Sequence, residues 1–254
     1  MSDDRLVVAL ERRVLTLTLN RPDKRNAIDS TMVEALLNAL ERADLDQDVG
    51  VVVVRGAGKD FCAGVDLAEL LASADRAPEE NATSAAQFGE VFVRMRRIPK
   101  PVVAVVHGRV LAGGCGLASA CDLVLAHADA QFGYPEIKRG FVPAMVMTML
   151  RRIVGEKVAF DLVSTGRLLT AAEAGSLGLV SRVLPAAEFE QQAGEVVRQL
   201  ADTSVSALAL TKRQLYELEG RSFEAGVQLG AAVNAAARTT PDFRKAIEAF
   251  LKRP

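Results

Sequence analysis

The stretch from Lys100 to Val142, KPVVAVVHGRVLAGGCGLASACDLVLAHADAQFGYPEIKRGFV, constrains the fold more than any other. Pro101 to Val106 is a short, β-branched apolar run closed by Gly108, which reads as a buried strand. A glycine-rich turn follows, and Gly113 to Ala120 then offers small side chains apart from Leu117. A helix that begins on such residues can pack close to a strand and leave its first backbone N–H groups open to whatever lies before them. Asp122 to Ala126 reads as a second buried strand, returning to a loop that carries Glu136 between Pro135 and Lys138. One helix N-terminus and one carboxylate are thereby expected to flank a common space.

The flanking chain keeps the same alternation. Leu6 to Leu10 and Val14 to Leu19 are alternating runs parted by Glu11, Arg12 and Arg13, the pattern of a hairpin. The loop NRPDKRNAID brings a proline, an asparagine and three cations, and Asp29 or Ser30 can cap a helix reaching Leu45. Val51 to Val54 is β-branched throughout, as a parallel strand covered on both faces would be. Behind it Gly56, Gly58 and Gly64 allow an irregular path, and Asp66 with Glu69 form a D-x-x-E signal for a helix starting at Leu67. Residues 73–90, polar and alanine-rich with Pro78, are expected to form a mobile, lid-like segment ahead of a helix ending at Arg97.

Past the central stretch, Pro143 at a first helical position leads a helix stopped by Gly155. Glu156 to Thr165 forms another, Thr170 caps a short one, and Leu179 to Leu184 is a last strand. From Ala186 onward the chain reads as three helical segments broken near Thr203, Gly220 and Thr240-Pro241. Strands alternating with helices and followed by a helical tail define an α/β core with a C-terminal helical cap.

Thirty-one basic against 32 acidic residues leave a net charge of −1, which argues against the basic footprint of a nucleic-acid or anionic-lipid binder. The opening MSDDRLVVALERR has acids before a short apolar run and does not read as a signal peptide. No apolar stretch approaches the roughly 18 residues of a membrane span. Cys62, Cys115 and Cys121 form no CxxC pair and the chain has two histidines, so a reducing, cytoplasmic setting and no structural metal are expected. Neither G-x-S-x-G nor G-x-x-x-x-G-K-[ST] occurs. Gly114 to Ser119 imitates part of a dinucleotide fingerprint, but a turn separates it from its strand and the next strand begins, rather than ends, with an acid.

Two glycine-bearing turns remain, Ala63-Gly64-Val65 and Ala112-Gly113-Gly114, each ending a strand and opening a helix. Backbone donors converging from two helix N-termini are what an oxyanion hole requires, because a developing negative oxygen needs fixed dipoles already aimed at it.

With these segments in order, NRPDKRNAID, GAGKDFCAGVDL, PVVAVVHGRVLAGGCGLASACDLVLA, FGYPEIKRGFVPA and TGRLLTAAEAGSLGLVSRVL, the chain resembles the crotonase (enoyl-CoA hydratase/isomerase) superfamily over essentially its whole length. The resemblance implies a spiral of ββα repeats over residues 1–190 that carries an acyl-CoA site, with residues 191–254 as a helical trimerisation region. It implies trimers or a dimer of trimers, no cofactor beyond the CoA of the substrate, and no nucleic-acid or membrane partner. The thioester oxygen would be held by the N–H groups of Val65 and Gly113. Arg25, Ala27, Ala63, Gly64, Asp66 and Leu67 match positions that contact CoA, and Phe250 and Lys252 lie where relatives reach a neighbour's CoA.

Hydratases of this family carry two glutamates. Here the later one is Glu136, whereas the earlier one is replaced by Gly116 in GGCGLA. Glu136 could then hold water together with a backbone group such as the Ala144 N–H, as a hydratase, or shuttle a proton between C2 and C4, as an isomerase; a silent CoA-ester binder is a further option. Phe132, Ile137, Phe141 and Val142 give Glu136 an apolar setting that would raise its pKa. Asp66 reads as a helix cap before anything else, His107 as a structural histidine and Cys115 as a buried filler.

Overall fold

In the computed structural model, which describes residues 5–252, the expected hairpin forms from β1 (Leu6–Glu11) and β2 (Val14–Leu19). Arg12 and Arg13 join them, both at positive φ, the twist a two-residue hairpin turn needs. Asp29 caps α1 (Ser30–Leu45), its carboxylate accepting the Met32 N–H at 2.9 Å. β3 (Val51–Gly56) runs parallel to β2, its valines buried on both faces. Asp66 caps α2 (Leu67–Ala72), and α3 (Pro78–Arg97) follows.

This last helix corrects the lid-like expectation for residues 73–90. Pro78, Glu79 and Glu80 occupy its first turn, where a missing N–H costs nothing and acids suit the dipole. The polar, alanine-rich stretch is its exposed half, and Phe88, Val91, Phe92 and Met95 carry the other half into the core.

β4 (Val102–Val106) and β5 (Arg109–Leu111) lead into α4 (Gly113–Ala120). β6 (Leu123–His127) and β7 (Gln131–Gly133) lead through a 3-10 turn, Pro135–Arg139, into α5 (Ala144–Ile153). Then come α6 (Glu156–Thr165), β8 (Leu168–Thr170), α7 (Ala171–Ser176) and β9 (Arg182–Leu184). The strands make one sheet of order β1-β2-β3-β4-β6-β9 and a smaller one of order β5-β7-β8. Successive ββα turns thus give one strand to each sheet, and Cys62, bridged to Val110, takes the second strand's place in the turn that begins with β3. This is the expected spiral of ββα repeats in an α/β fold.

Three local expectations shift. β5 forms inside the presumed glycine-rich turn, Pro143 is the residue before α5 rather than its first, and the last strand is confined to Arg182–Leu184. Four helices, not three segments, close the chain: α8 (Phe189–Ala201), α9 (Val205–Glu217), α10 (Phe223–Arg238) and α11 (Pro241–Leu251). The foreseen breaks separate them. α8 lays Phe189, Ala193, Val196 and Val197 on the outer face of the large sheet, against Val53, Val105 and Leu125.

α9 is tied to the core by a buried cation. Lys212 Nζ lies 2.8 Å from Asp122 Oδ2 and donates to the carbonyls of Met95 and Lys100 at 2.7 and 2.9 Å. Tyr216 donates to Asp122 Oδ1 at 2.7 Å. Lys100, in turn buried, donates from Nζ to the carbonyls of Ala43, Asp44 and Asp46 at the end of α1. Lys212→Ala would take the cation from a largely buried carboxylate, which keeps only its neutral donors, and the donor from two carbonyls, and breaking such a pair costs about 3–5 kcal/mol. A urea titration should show that loss as a lower midpoint at constant slope; a shift under ~0.5 kcal/mol would contradict the tether.

Candidate active site

Val65 is held by an isolated parallel bridge to Ile28. The Ile28 N–H donates to Gly64 O and the Asp66 N–H donates to Ile28 O, both at 2.8 Å. In a parallel pairing the residue between those two bonds turns its own N–H to the opposite side. The Val65 N–H therefore faces away from the first loop, and it has no acceptor among the described residues.

The second donor stands at the start of α4. Ala112 has φ 51 and ψ −123, a conformation that costs a residue with a Cβ about 1–3 kcal/mol. Its N–H donates to Gly133 O at 2.8 Å and its C=O accepts the Gly116 N–H at 3.2 Å. Because a trans peptide points its C=O and N–H oppositely, the Gly113 N–H projects out of the helix N-terminus. It too has no acceptor among the described residues.

Close backbone packing brings the two segments together. Gly64 has φ +104, and a Cβ there would lie 2.7 Å from Ala112 Cβ and 3.4 Å from the Gly113 nitrogen. Only glycine permits both the conformation and the approach.

Glu136 enters from the other end of the same tie. Gly133, whose carbonyl holds Ala112, closes β7, and the 3-10 turn Pro135–Arg139 follows one residue later. That turn, in place of the expected loop, buries Glu136 to 9% exposure. Its Oε2 is buried with no hydrogen-bond partner among the described residues. Desolvation raises its pKa, against the lowering effect of its own backbone N–H and of Arg139. Of the apolar residues expected around it, Phe132 is buried, while Ile137, Phe141 and Val142 are exposed.

Position 116 is physically closed to a second carboxylate. A Cβ on Gly116 would lie 2.3 Å from Val146 Cγ1 and 3.0 Å from Phe92 Cζ. Val146 of α5 and Phe92 of α3 fill that space and make the adjoining wall apolar. The Ala144 N–H, considered as a water ligand, is already engaged with Val142 O at 2.9 Å, which corrects that expectation.

The remaining expected contacts lie along one band. Arg25 is exposed in the left-handed region, and its carbonyl accepts the Ala63 N–H at 3.0 Å. Ala27 precedes the Ile28–Val65 bridge, Ala63 and Gly64 lead into it, and Leu67 is half exposed just beyond. Asp66 accepts the Ala68 and Glu69 N–H groups at 2.9 and 3.4 Å and meets Arg21 at 2.8 Å. Burial alone would raise its pKa, but the hydrogen bonds from Arg21, Ala68 and Glu69 outweigh it and hold the carboxyl low. Phe250 is exposed near the end of α11, and Lys252 follows that helix.

His107 Nε2 sits 2.9 Å from Gly58 O, a structural contact. Cys115 donates to Val110 O at 2.8 Å, and burial pushes its thiol well up, away from nucleophilic use. Among the described residues no cluster of three or more His, Cys, Asp or Glu side chains could hold a metal ion. Three residues at the site carry no mark in the sequence. Arg21 reads like Lys24 or Arg25, Ala112 has no glycine to announce its φ, and Val146 meets Gly116 only through the tertiary fold.

The fold and these paired donors define a crotonase-type scaffold. The chain matches the family model described as enoyl-CoA hydratase/isomerase over residues 10–254, and it belongs to that family. A Thermus thermophilus protein named provisionally as an enoyl-CoA hydratase is 43% identical, covering 95% of this chain and 96% of the relative. The 2,3-dehydroadipyl-CoA hydratase of Escherichia coli is 36% identical over 98% of this chain and 96% of its own. The crystal structure of an enoyl-CoA hydratase from Mycobacterium smegmatis superposes with a TM-score of 0.93 at 33% identity, covering 98% of this chain and 96% of that one.

Two stability predictions follow from this geometry. Gly116→Ala should cost about 1–3 kcal/mol by overpacking, and combining it with Val146→Ala should show favourable coupling of about 1 kcal/mol in a double-mutant cycle; strict additivity would refute the contact. Glu136 has its folded-state pKa raised, so its contribution is fully present below the unfolded carboxyl pKa and is lost as pH rises through the folded value. Glu136→Gln should therefore melt higher than the parent at pH 8, with the gap narrowing toward pH 4. A gap that is constant with pH would contradict a desolvated carboxyl.

Proposed function

We propose that the protein is an enoyl-CoA hydratase working through a thioester enolate, with Glu136 as its acid and base. The observation that carries this reading is the pair of N–H groups on adjoining segments, Val65 and Gly113, with no acceptor among the described residues, together with a buried carboxyl, one oxygen of it unpartnered there, on the turn that follows Gly133. The thioester oxygen lies between the two donors. Glu136 takes a proton from water as its oxygen bonds to C3, and the C2–C3 electron pair moves into the enolate that the donors stabilise. The proton then passes to C2. Each donor contributes about 2.7–4 kcal/mol to the transition state, and no cofactor is consumed.

The relatives' names favour hydration. The filled place beside Gly116 favours a second reading on the same site, in which Glu136 alone takes a proton from C2 of a 3-enoyl-CoA and returns it to C4. The band formed by Arg25, Ala27, Ala63, Gly64, Asp66 and Leu67 serves CoA, with exposed Arg25 toward its phosphates.

Assembly as a homotrimer, or a hexamer of two trimers, is proposed through residues 191–254. Phe223, Val227, Phe243, Ile247 and Phe250 stand exposed there on α10 and α11, an apolar surface suited to a subunit contact. No helix among the described residues is long and apolar enough to cross a membrane. The three unpaired, buried cysteines suit the reducing cytoplasm.

A panel of 2-enoyl-CoA and 3-enoyl-CoA esters separates hydration from isomerisation. Glu136→Gln should lower turnover at least ~10²-fold with CoA-ester binding retained, and an unchanged rate would remove Glu136 from the mechanism. Solvent deuterium should enter C2 of a saturated acyl-CoA; its failure to do so would leave a binding protein without this chemistry.

A further inference from the structure

The Val65 amide is held on irregular chain from both sides. Gly64 precedes it at φ +104, and its partner Ile28 ends a loop in which Arg25 and Asn26 both take positive φ. No strand continues the bridge in either direction, so side chains must fix its geometry. One does so from beneath. The Arg21 side chain is 10% exposed, and its Nη1 donates to Ala27 O at 2.7 Å and lies 3.2 Å from Asp29 Oδ2. Its Nη2 meets Asp66 Oδ2 at 2.8 Å.

Ala27 is the residue before Ile28, and Asp66 is the residue after Val65. The guanidinium therefore grips the chain neighbour of each bridge partner at once, Ala27 by its carbonyl and Asp66 by its carboxylate. Both carboxylates it meets are helix caps, Asp29 for α1 and Asp66 for α2, so the grip also registers two helices against the bridge. The arginine's own main chain is fixed as well. Its N–H donates to Asn26 Oδ1 at 2.9 Å, and Asn26 Nδ2 donates to Ala57 O and Asp60 O at 2.8 and 2.7 Å beyond the end of β3.

We propose that Arg21 is the positioning residue for the Val65 amide: by bridging Ala27 and Asp66 it holds that N–H in register with the Gly113 N–H, and so sets the strength of the oxyanion hole without touching substrate. The proposal rests on the reading of Val65 and Gly113 as oxyanion donors. Burial separates this role from phosphate binding, which needs an exposed cation such as Arg25. A planar fork with several fixed donors can serve a carbonyl and two carboxylates together, and a lysine ammonium cannot reproduce that geometry.

The test uses acetoacetyl-CoA, whose acidic C2 ionises when its thioester oxygen is stabilised, with the enolate read by ultraviolet absorption. Wild type, Arg21→Gln and Arg21→Lys are compared for enolate fraction, kcat, KM, and Kd for CoA alone. Arg21→Gln should lose about tenfold or more in the enolate-to-keto ratio and in kcat, a loss below the roughly 10²–10³ of deleting a donor outright. CoA affinity should stay within ~2-fold, and Arg21→Lys should fall between the two. Where Arg21→Gln yields no folded protein, the lysine variant at native helicity carries the same comparison.

An unchanged enolate fraction and kcat in a folded variant would overturn the proposal and leave Arg21 a stability residue. Weaker CoA binding at unchanged kcat would overturn it in favour of a direct CoA contact. If wild type itself leaves acetoacetyl-CoA in the keto form, the oxyanion reading fails, and this inference with it.

Discussion

The structure depends on one close approach of backbone to backbone, where Gly64 lies against Ala112 and the Gly113 nitrogen with no room for a Cβ. Two segments far apart in sequence each end a strand-like stretch there and each open a helix. Their contact is what sets the Val65 and Gly113 N–H groups beside one another. The spiral of ββα turns stacks one such strand-to-helix junction beside the next.

Holding side by side two donors that have no acceptor among the described residues is unfavourable, and the fold offsets that cost locally. Ala112 bears an unusual φ, but its N–H and C=O are both engaged, by Gly133 and Gly116. On the other segment, the Ile28 bridge orients Val65 while Asp66 caps α2. Glu136 is a further local cost, a carboxyl in a mostly dry position with one oxygen unmatched. Such concentrated strain and desolvation are characteristic of sites that meet their partners only when a ligand arrives. Polar burial is balanced where Lys212 answers Asp122 and two carbonyls.

Much of this was legible in the letters, for physical reasons. The large sheet's inner strands are valine-rich because both faces are covered, and that composition is visible in a short window. Asp29, Asp66 and Thr170 announce helix starts because capping is a local interaction. The small sheet is not legible there: β5, β7 and β8 are three residues each, too short for a period to register. The first half of α3 has no helical signature in the sequence because its exposed side chains carry no apolar stripe. The tertiary relations of the site were hidden entirely, since neither Val146 against Gly116 nor Arg21 between Ala27 and Asp66 follows from neighbours in sequence. Glu136 and the two glycine-bearing turns stand out in their own segments, while the roles of the Val65 and Gly113 N–H groups toward a thioester come from resemblance to a family; the geometry adds why, among the described residues, those two N–H groups have no acceptor and one Glu136 oxygen has no partner.

The most direct test is a crystal structure with a saturated, unreactive acyl-CoA bound. The thioester oxygen should lie about 2.7–3.1 Å from both the Val65 and the Gly113 nitrogens, with the Glu136 carboxyl on the C2 side of the thioester. A thioester oxygen touching one nitrogen or neither, or Glu136 turned from the acyl group, would contradict this arrangement.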